Sequence, residues 1–276
     1  MPELPEIETV RRNVAPLAEG RRIVSVTADG SRILKNRTAE SMRMLEGSTV
    51  TGIGRRGKAL IVRHNSGIVT VIRFGMTGQL YVCPAGFPVE KHTHVTVSFD
   101  DETQMRFVDT RMFGAVWVFG KGEEDDCSGI GSMGPEPDDP SLTGDYLRRT
   151  LSKRSTPVQA ALMDQSAVAG LGNIWSGEAL FRAGICPLTP CSALSESDWD
   201  AVARSIRETV GFAIDKNTVT AEDYLEGKGR RYYDIGYLNV YGREGEPCVA
   251  CGTPLIRSRI CGRSAYWCPK CQPQKL

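Results

Sequence analysis

The stretch Met1-Pro2-Glu3-Leu4-Pro5-Glu6 opens a helical pattern. Both prolines then fall in a first turn, the one part of a helix that tolerates a missing N–H and a fixed φ. Glu3 and Glu6 stand at i and i+3, on one face. Met1 precedes a small residue, and its removal would expose the amine of Pro2. An α-amine has a pKa near ~8 against ~10.4 for lysine, so far more of it is unprotonated and nucleophilic at neutral pH. A secondary amine also condenses with a sugar aldehyde carbon directly to a charged iminium, an electron sink for breaking bonds one carbon away. Two carboxylates beside such an amine can serve as a general acid/base set. Acidic residues and prolines also simply start helices, because negative charge suits that end of the dipole. From these six residues both readings stand.

At 276 residues the chain is long enough for two cores. Its 41% hydrophobic and 24% charged composition is that of an ordinary soluble globular protein. No apolar run reaches transmembrane length and no stretch reads as a signal peptide, so a cytoplasmic location is expected. The net charge of +1 is unevenly spread: residues 228–276 hold nine basic and three acidic side chains, a local +6, leaving about −5 on the rest. A basic module of this kind is either a solvated face or a nucleic-acid surface.

Beyond the first helix, whose pattern breaks near Pro16 and Gly20, residues 21–119 read mainly as strands. Arg22–Thr27, Ala59–Arg63, Ile68–Ile72, His94–Phe99 and Ala115–Phe119 are β-branched or alternating runs bounded by turn residues, which suggests an antiparallel sandwich or barrel. The acidic, Gly/Pro-rich stretch 123–140 reads as a linker. From Asp145 the period becomes helical: Thr156-Pro157 starts a helix over Val158–Val168, and Ser195-Glu-Ser-Asp198 forms a capping box before Trp199–Ile214.

The strongest chemical signal is Cys248-x2-Cys251-x16-Cys268-x2-Cys271. Two CxxC knuckles separated by a hairpin length supply four thiolates for one tetrahedral zinc, as in a zinc ribbon. Such a site is closed, so its role is structural. Cys261 lies inside the loop as a non-ligand, and Cys83, Cys127, Cys186 and Cys191 read as packing residues. His92 and His94 share a strand face without a third partner and read as ordinary side chains.

MPELPEIETVRR resembles the N-terminus of bacterial formamidopyrimidine-DNA glycosylases, within the wider Fpg/Nei (endonuclease VIII) family, and further motifs follow in the family order as far as Cys271. The resemblance implies an α+β multidomain protein. A leading helix and antiparallel β-sandwich (1–125, catalytic) are followed by a linker (126–140), a helix-two-turn-helix DNA-binding domain (141–240) and a zinc ribbon (241–276), with DNA in the cleft between the domains. It implies a monomeric base-excision-repair glycosylase and AP lyase for oxidised purines such as 8-oxoguanine or formamidopyrimidine. Its partner would be damaged double-stranded DNA, with one structural zinc, no organic cofactor and no membrane. Pro2 becomes the nucleophile, Glu3 the acid/base and Glu6 its support, while Lys58 in Arg55-Arg-Gly-Lys contacts phosphate and stabilises charge near the deoxyribose. Phe74-Gly-Met76-Thr-Gly and Asp109-Thr-Arg111-Met-Phe113-Gly resemble the loops that fill the gap left by an extruded nucleotide, making Met76, Arg111 and Phe113 the insertion residues. Asn173, in Gly170-x-Gly172-Asn173, and Arg263, at the ribbon tip, match the family's phosphate-binding asparagine and arginine. Residues 218–239 correspond in place to the loop that caps an oxidised purine, with a poor match in sequence.

Arg73 stands where the bacterial pattern commonly has a histidine associated with a phosphate beside the lesion, and arginine can make the same contact. Two alternatives share parts of this pattern. A Nei-like enzyme for oxidised pyrimidines would differ in the base pocket, and LPE rather than GPE argues against it. A non-catalytic damaged-DNA-binding protein would not need Pro2, Glu3 and Lys58 together.

Overall fold

The computed structural model describes residues 2–30, 32–123, 128–227 and 237–275. The chain divides into two compact units, Met1–Gly131 with Asn217–Tyr233, and Ser132–Lys216 with Asp234–Leu276.

In the first unit, helix α1 (Leu4–Ala18) precedes strands β1 (Ile23–Ala28), β2 (Val50–Arg56), β3 (Ala59–His64), β4 (Val69–Arg73), β5 (Gly78–Pro84), β6 (Thr93–Phe99), β7 (Thr103–Asp109) and β8 (Ala115–Phe119). Among the described residues these form two four-stranded sheets, ordered β1-β6-β7-β5 and β2-β3-β4-β8, with every pairing antiparallel. Ile7, Val10 and Val14 of α1 join Leu60, Val62, Leu80 and Phe107 in one core, so burial of apolar surface fixes the helix on the sandwich. The helix does not break at Pro16 but runs to Ala18. Pro16 is exposed, so the carbonyl that loses its donor meets water, while Val14, Ala15 and Ala18 bury the last turn. Strands β2, β5 and β7 escaped the sequence pattern. β2 spends two positions on Gly52 and Gly54, and β7 buries Arg106 completely, its guanidinium donating to the carbonyls of Phe87 and Pro88 and to Gln104 Oε1.

The second unit carries α2 (Gly144–Leu151), α3 (Val158–Leu162), α4 (Asn173–Ala183) and α5 (Glu196–Lys216), with α2 and α4 packed on α5. The predicted helix over 158–168 stops at Leu162. Asp164 Oδ1 takes both the N–H and the hydroxyl of Ser166, at 3.0 and 2.7 Å, which offers the backbone a turn in place of another helical bond. The expected capping box holds α5: Ser195 N–H donates to Asp198 Oδ2 at 2.8 Å and Asp198 N–H to Ser195 Oγ at 3.3 Å.

The chain then returns to the first unit in α6 (Ala221–Leu225). Tyr224 packs its ring 5.4 Å from that of Tyr81 and donates to Gln79 Oε1 at 2.7 Å, and Asn13 Nδ2 donates to the Val219 carbonyl at 2.7 Å. This segment, which the sequence assigns to the helical domain, is thus anchored on β5 and α1. The remainder of the capping-loop expectation, over 228–236, lies outside the described residues. Ser128 and Ile130 of the expected linker are buried, Ile130 against Ile61, Val71 and Phe119. In the second unit the antiparallel hairpin of β9 (Ile256–Ile260) and β10 (Arg263–Trp267) completes the fold. Among the described residues no helix is long and apolar enough to cross a membrane.

His64, buried on β3 with Nε2 3.1 Å from Thr70 Oγ1, has its imidazole pushed down by burial from 6.5 to about 4. The folded state therefore holds it neutral where the unfolded chain takes up a proton, so its contribution is intact above pH 6.5 and is lost as the pH falls toward 4. The His64→Gln variant, which can keep a bond to Thr70, should lose about 3 kcal/mol less than the parent between pH 7 and pH 4, measured by urea denaturation.

Candidate functional site

The start of α1 is built from its own side chains. Glu3 is the N-cap, and its N–H donates to the Glu6 carboxylate at 2.7 Å, so Glu6 closes the first turn from below. Pro2, Glu3 and Glu6 are all buried. One turn on, Glu8 gathers three arginines: Arg11 Nη2 at 2.7 Å, Arg12 Nε at 3.1 Å and Arg55 Nε at 3.3 Å. Burial raises the Glu8 carboxyl pKa, but the hydrogen bond and charge of Arg11, with Arg55 and Arg12, outweigh it and hold the group below the usual carboxylate range. Arg55 also donates to the Gly57 carbonyl at 3.3 Å. Glu8 therefore ties α1 to the two-residue β2–β3 turn, Gly57-Lys58, in which Gly57 takes φ +55 and Lys58 is half-buried.

The two motifs read as insertion loops touch through their main chains. A Cβ on Gly75 would lie 2.5 Å from the Phe113 carbonyl carbon, and one on Gly114 would lie 2.7 Å from Phe107 Cζ. The side chains between them point to solvent: Met76 is 41% and Phe113 52% exposed, and the Arg111 guanidinium sits 4.8 Å above the Phe113 ring. Solvent-facing methionine and phenylalanine side chains on adjoining loops form the kind of apolar surface that marks a binding site. Arg73, at the end of β4, is half-buried with its guanidinium 5.7 Å from the Trp117 ring centroid, and burial lowers its pKa from the usual arginine value.

In the second unit Asn173 is the first residue of α4, after N-cap Gly172. Its Nδ2 donates to the Ser264 carbonyl at 2.8 Å and its Oδ1 accepts from Gln159 Nε2 at 3.2 Å. Ser264 adjoins Arg263, whose Nη1 approaches Met163 Sδ at 3.2 Å, so the structure brings Asn173 and Arg263 to one place. Gly170 N–H donates to Gln165 Oε1 at 2.9 Å, so this glycine shapes the turn through an internal bond.

The Sγ atoms of Cys248, Cys251, Cys268 and Cys271 lie within 4.8 Å of one another, with Cys251 and Cys268 at 3.5 Å and Cys248 and Cys271 at 4.0 Å. Tetrahedral zinc with bonds of about 2.3 Å needs sulfur separations of roughly 3.8 Å, so the four thiolates fit one zinc ion. Beneath them Val240 and Leu255 pack with the buried Cys248 and Cys268, flanked by Phe181 and Tyr266, a small core that a metal would reinforce. Cys261 is exposed at the hairpin tip, and Cys83, Cys186 and Cys191 are buried; Cys127 lies outside the described residues.

Residues 1–116 match the family model described as "Formamidopyrimidine-DNA glycosylase N-terminal domain", 133–223 that of the "Formamidopyrimidine-DNA glycosylase H2TH domain", and 245–274 the "Zinc finger found in FPG and IleRS". The formamidopyrimidine-DNA glycosylase of Bacillus subtilis is 40% identical over 281 residues, with all of both chains covered. The chain belongs to the formamidopyrimidine-DNA glycosylase family. A second relative, from Desulforamulus reducens, is 37% identical over 277 residues and also covers all of both chains. Among solved structures, the Lactococcus lactis glycosylase in complex with FAPY-dG-containing DNA superposes with a TM-score of 0.89 at 31% identity, covering 99% of this chain and 100% of that one. The same Lactococcus protein bound to AP-site-containing DNA gives a TM-score of 0.86, with the same identity and coverage.

Sequence reasoning missed the residues that hold these groups: Glu8 and Arg55 behind Lys58, Asp109 behind the two loops, and Gln159 behind Asn173. Of these, Glu8 stands at i+3 and i+4 spacing to Arg11 and Arg12, a signal the chain displays openly. Replacing Cys268 with Ser should drop the zinc content from one ion per chain to nearly none, measured by atomic emission, and unfold β9–β10 while the far-UV circular dichroism of the sandwich persists.

Proposed function

We propose that this chain is a DNA glycosylase for oxidised purines in duplex DNA, with AP lyase activity carried by the amine of Pro2, acting as a cytoplasmic monomer. The observation that supports it most directly is the buried Pro2-Glu3 pair at the start of α1, whose first turn Glu6 closes, in a chain that matches glycosylases over its whole length.

With Met1 removed, the Pro2 nitrogen attacks C1′ of the damaged nucleotide. The bond from C1′ to the base breaks with its electron pair leaving on the base, which takes up a proton. Opening of the sugar ring, with the proton for its oxygen drawn from the Glu3 carboxyl and the proline N–H proton passing to the departing base, leaves an iminium between C1′ and the proline nitrogen. The iminium acidifies C2′–H, so loss of that proton to the Glu3 carboxylate expels the 3′ phosphate with its electron pair, and loss of C4′–H from the conjugated iminium that results expels the 5′ phosphate. Lys58 contacts phosphate and offsets the charge near the deoxyribose. Met76, Arg111 and Phe113 fill the space the flipped nucleotide vacates, because a base inside the stack is out of reach of any side chain. Asn173 and Arg263 grip backbone phosphates from the second unit. Zinc, held by the four cysteines, supplies structure to the ribbon. Along the chain the sandwich, the helical domain and the ribbon follow in that order, with the segment from Asn217 returning to the sandwich unit.

Borohydride should trap the protein covalently on a duplex carrying 8-oxoguanine, through Pro2. Equal trapping by a form that keeps Met1 would remove the N-terminal amine from the mechanism. Arg73→Ala should weaken binding to different duplex sequences alike and reduce the magnitude of the log-affinity against log-salt slope by roughly 0.9, the value for one lost phosphate contact. An unchanged slope would show that Arg73 touches no phosphate.

A further inference from the structure

Asp109, the last residue of β7, is completely buried, and its carboxylate faces donors from both insertion loops. Oδ1 accepts from the Thr77 hydroxyl at 2.5 Å and from the Arg111 N–H at 3.2 Å, while Oδ2 accepts from the Gly114 N–H at 2.7 Å. The Arg111 N–H also lies 3.2 Å from Thr77 Oγ1, which closes the triangle. Thr77 follows Met76 directly, and Arg111 and Gly114 bracket Phe113. The main chain of Asp109 is fixed in turn: its N–H donates to the His92 carbonyl at 3.1 Å, and its carbonyl accepts from His94 Nε2 at 2.9 Å. The other nitrogen of that ring, Nδ1, meets Asp29 Oδ2 at 2.6 Å.

We propose that the Asp109 carboxylate is the positioning residue that locks the Met76 loop and the Arg111–Phe113 loop into a single rigid wedge. The inference rests on the reading of Met76, Arg111 and Phe113 as insertion residues. Among the described residues no cationic side chain pairs with this carboxylate. A buried charge without a counter-ion is costly, and here it is held by hydrogen bonds from two separate segments. An amide would not serve as well. It would turn one acceptor into a donor facing either the Gly114 N–H or the Thr77 and Arg111 donors. The surrounding backbone leaves little slack, since a Cβ on Gly114 would also lie 3.0 Å from Asp109 Oδ2. Rigidity of the mount matters because side chains that enter a base stack should not have to be ordered at that moment.

The test uses the full zinc-loaded chain and two DNAs. One is a duplex with 8-oxoguanine opposite cytosine and a neighbouring 2-aminopurine, whose fluorescence reports insertion. The other is a single strand with a preformed AP site, where no helix has to be entered. In Asp109→Asn, single-turnover excision from the duplex and the fluorescence step should slow by roughly ten- to a hundred-fold, the loss of a hydrogen bond to a charged group, with strand cleavage at the AP site changed by less than about twofold. Thr77→Val should show a smaller loss of the same kind and Thr77→Ser should restore it, and this pair decides the matter if Asp109→Asn does not fold. Equal slowing on both DNAs, or none on either, would overturn the proposal. Phe113→Ala separates it from the reading beneath: an unchanged fluorescence step in that variant would show that the loops do not insert, and the wedge would fall with them.

Discussion

The first turn of a chain is usually its least ordered part, and here it is buried. Everything at the candidate site depends on how that burial is achieved. The apolar face of α1 is held on the sandwich by Ile7, Val10 and Val14, but apolar contact alone is non-directional and would not set the rotation of the first turn. Direction comes from two carboxylates. Glu6 closes the turn from within, and Glu8 reaches sideways to Arg55 and so to the hairpin that carries Lys58. The Glu8 cluster combines three guanidinium groups on one largely buried acid, a geometry in which geometric definition counts for more than net energy.

The same division of labour recurs beside the Lys58 turn, at the end of the sheet where Ala59 pairs with Arg73 and Arg73 with Ala115. Residues facing solvent there, Met76, Arg111 and Phe113, make few demands on the fold, whereas the main chain beneath them is packed to the point that a methyl group would collide. In the second unit, Gln159, Asn173 and the Ser264 carbonyl join the turn before α4 to the metal-bound hairpin in the same manner. In both places buried polar groups on strands and helix ends fix the main chain that carries the more exposed side chains.

Features with a fixed spacing were legible in the sequence. The two CxxC knuckles named their metal, the capping box at Ser195 named its helix, and β-branched runs marked β1, β3, β4, β6 and β8. Less legible were elements whose stability comes from partners distant in the chain. β7 reads as polar, yet it buries Arg106 because carbonyls of the β5–β6 loop satisfy the guanidinium, and α3 ends early because Asp164 competes locally for the backbone. Asp109 was quoted within its motif without a role, since nothing along the chain shows that residues 77, 111 and 114 converge on one carboxylate. Motif resemblance names the groups at the surface more readily than the groups behind them.

The first unit is discontinuous: its core includes Tyr224, separated from Gly131 by most of the helical unit. On the ribosome, at about 5–20 residues per second, the ninety or so residues between them take roughly 5–20 s to appear. For that interval the sandwich exists without the segment that covers Tyr81 and Val82. The helical unit begins to form before the sandwich is finished, so the two cannot mature in simple succession, and a gene fragment ending near residue 131 would encode a sandwich with one wall missing.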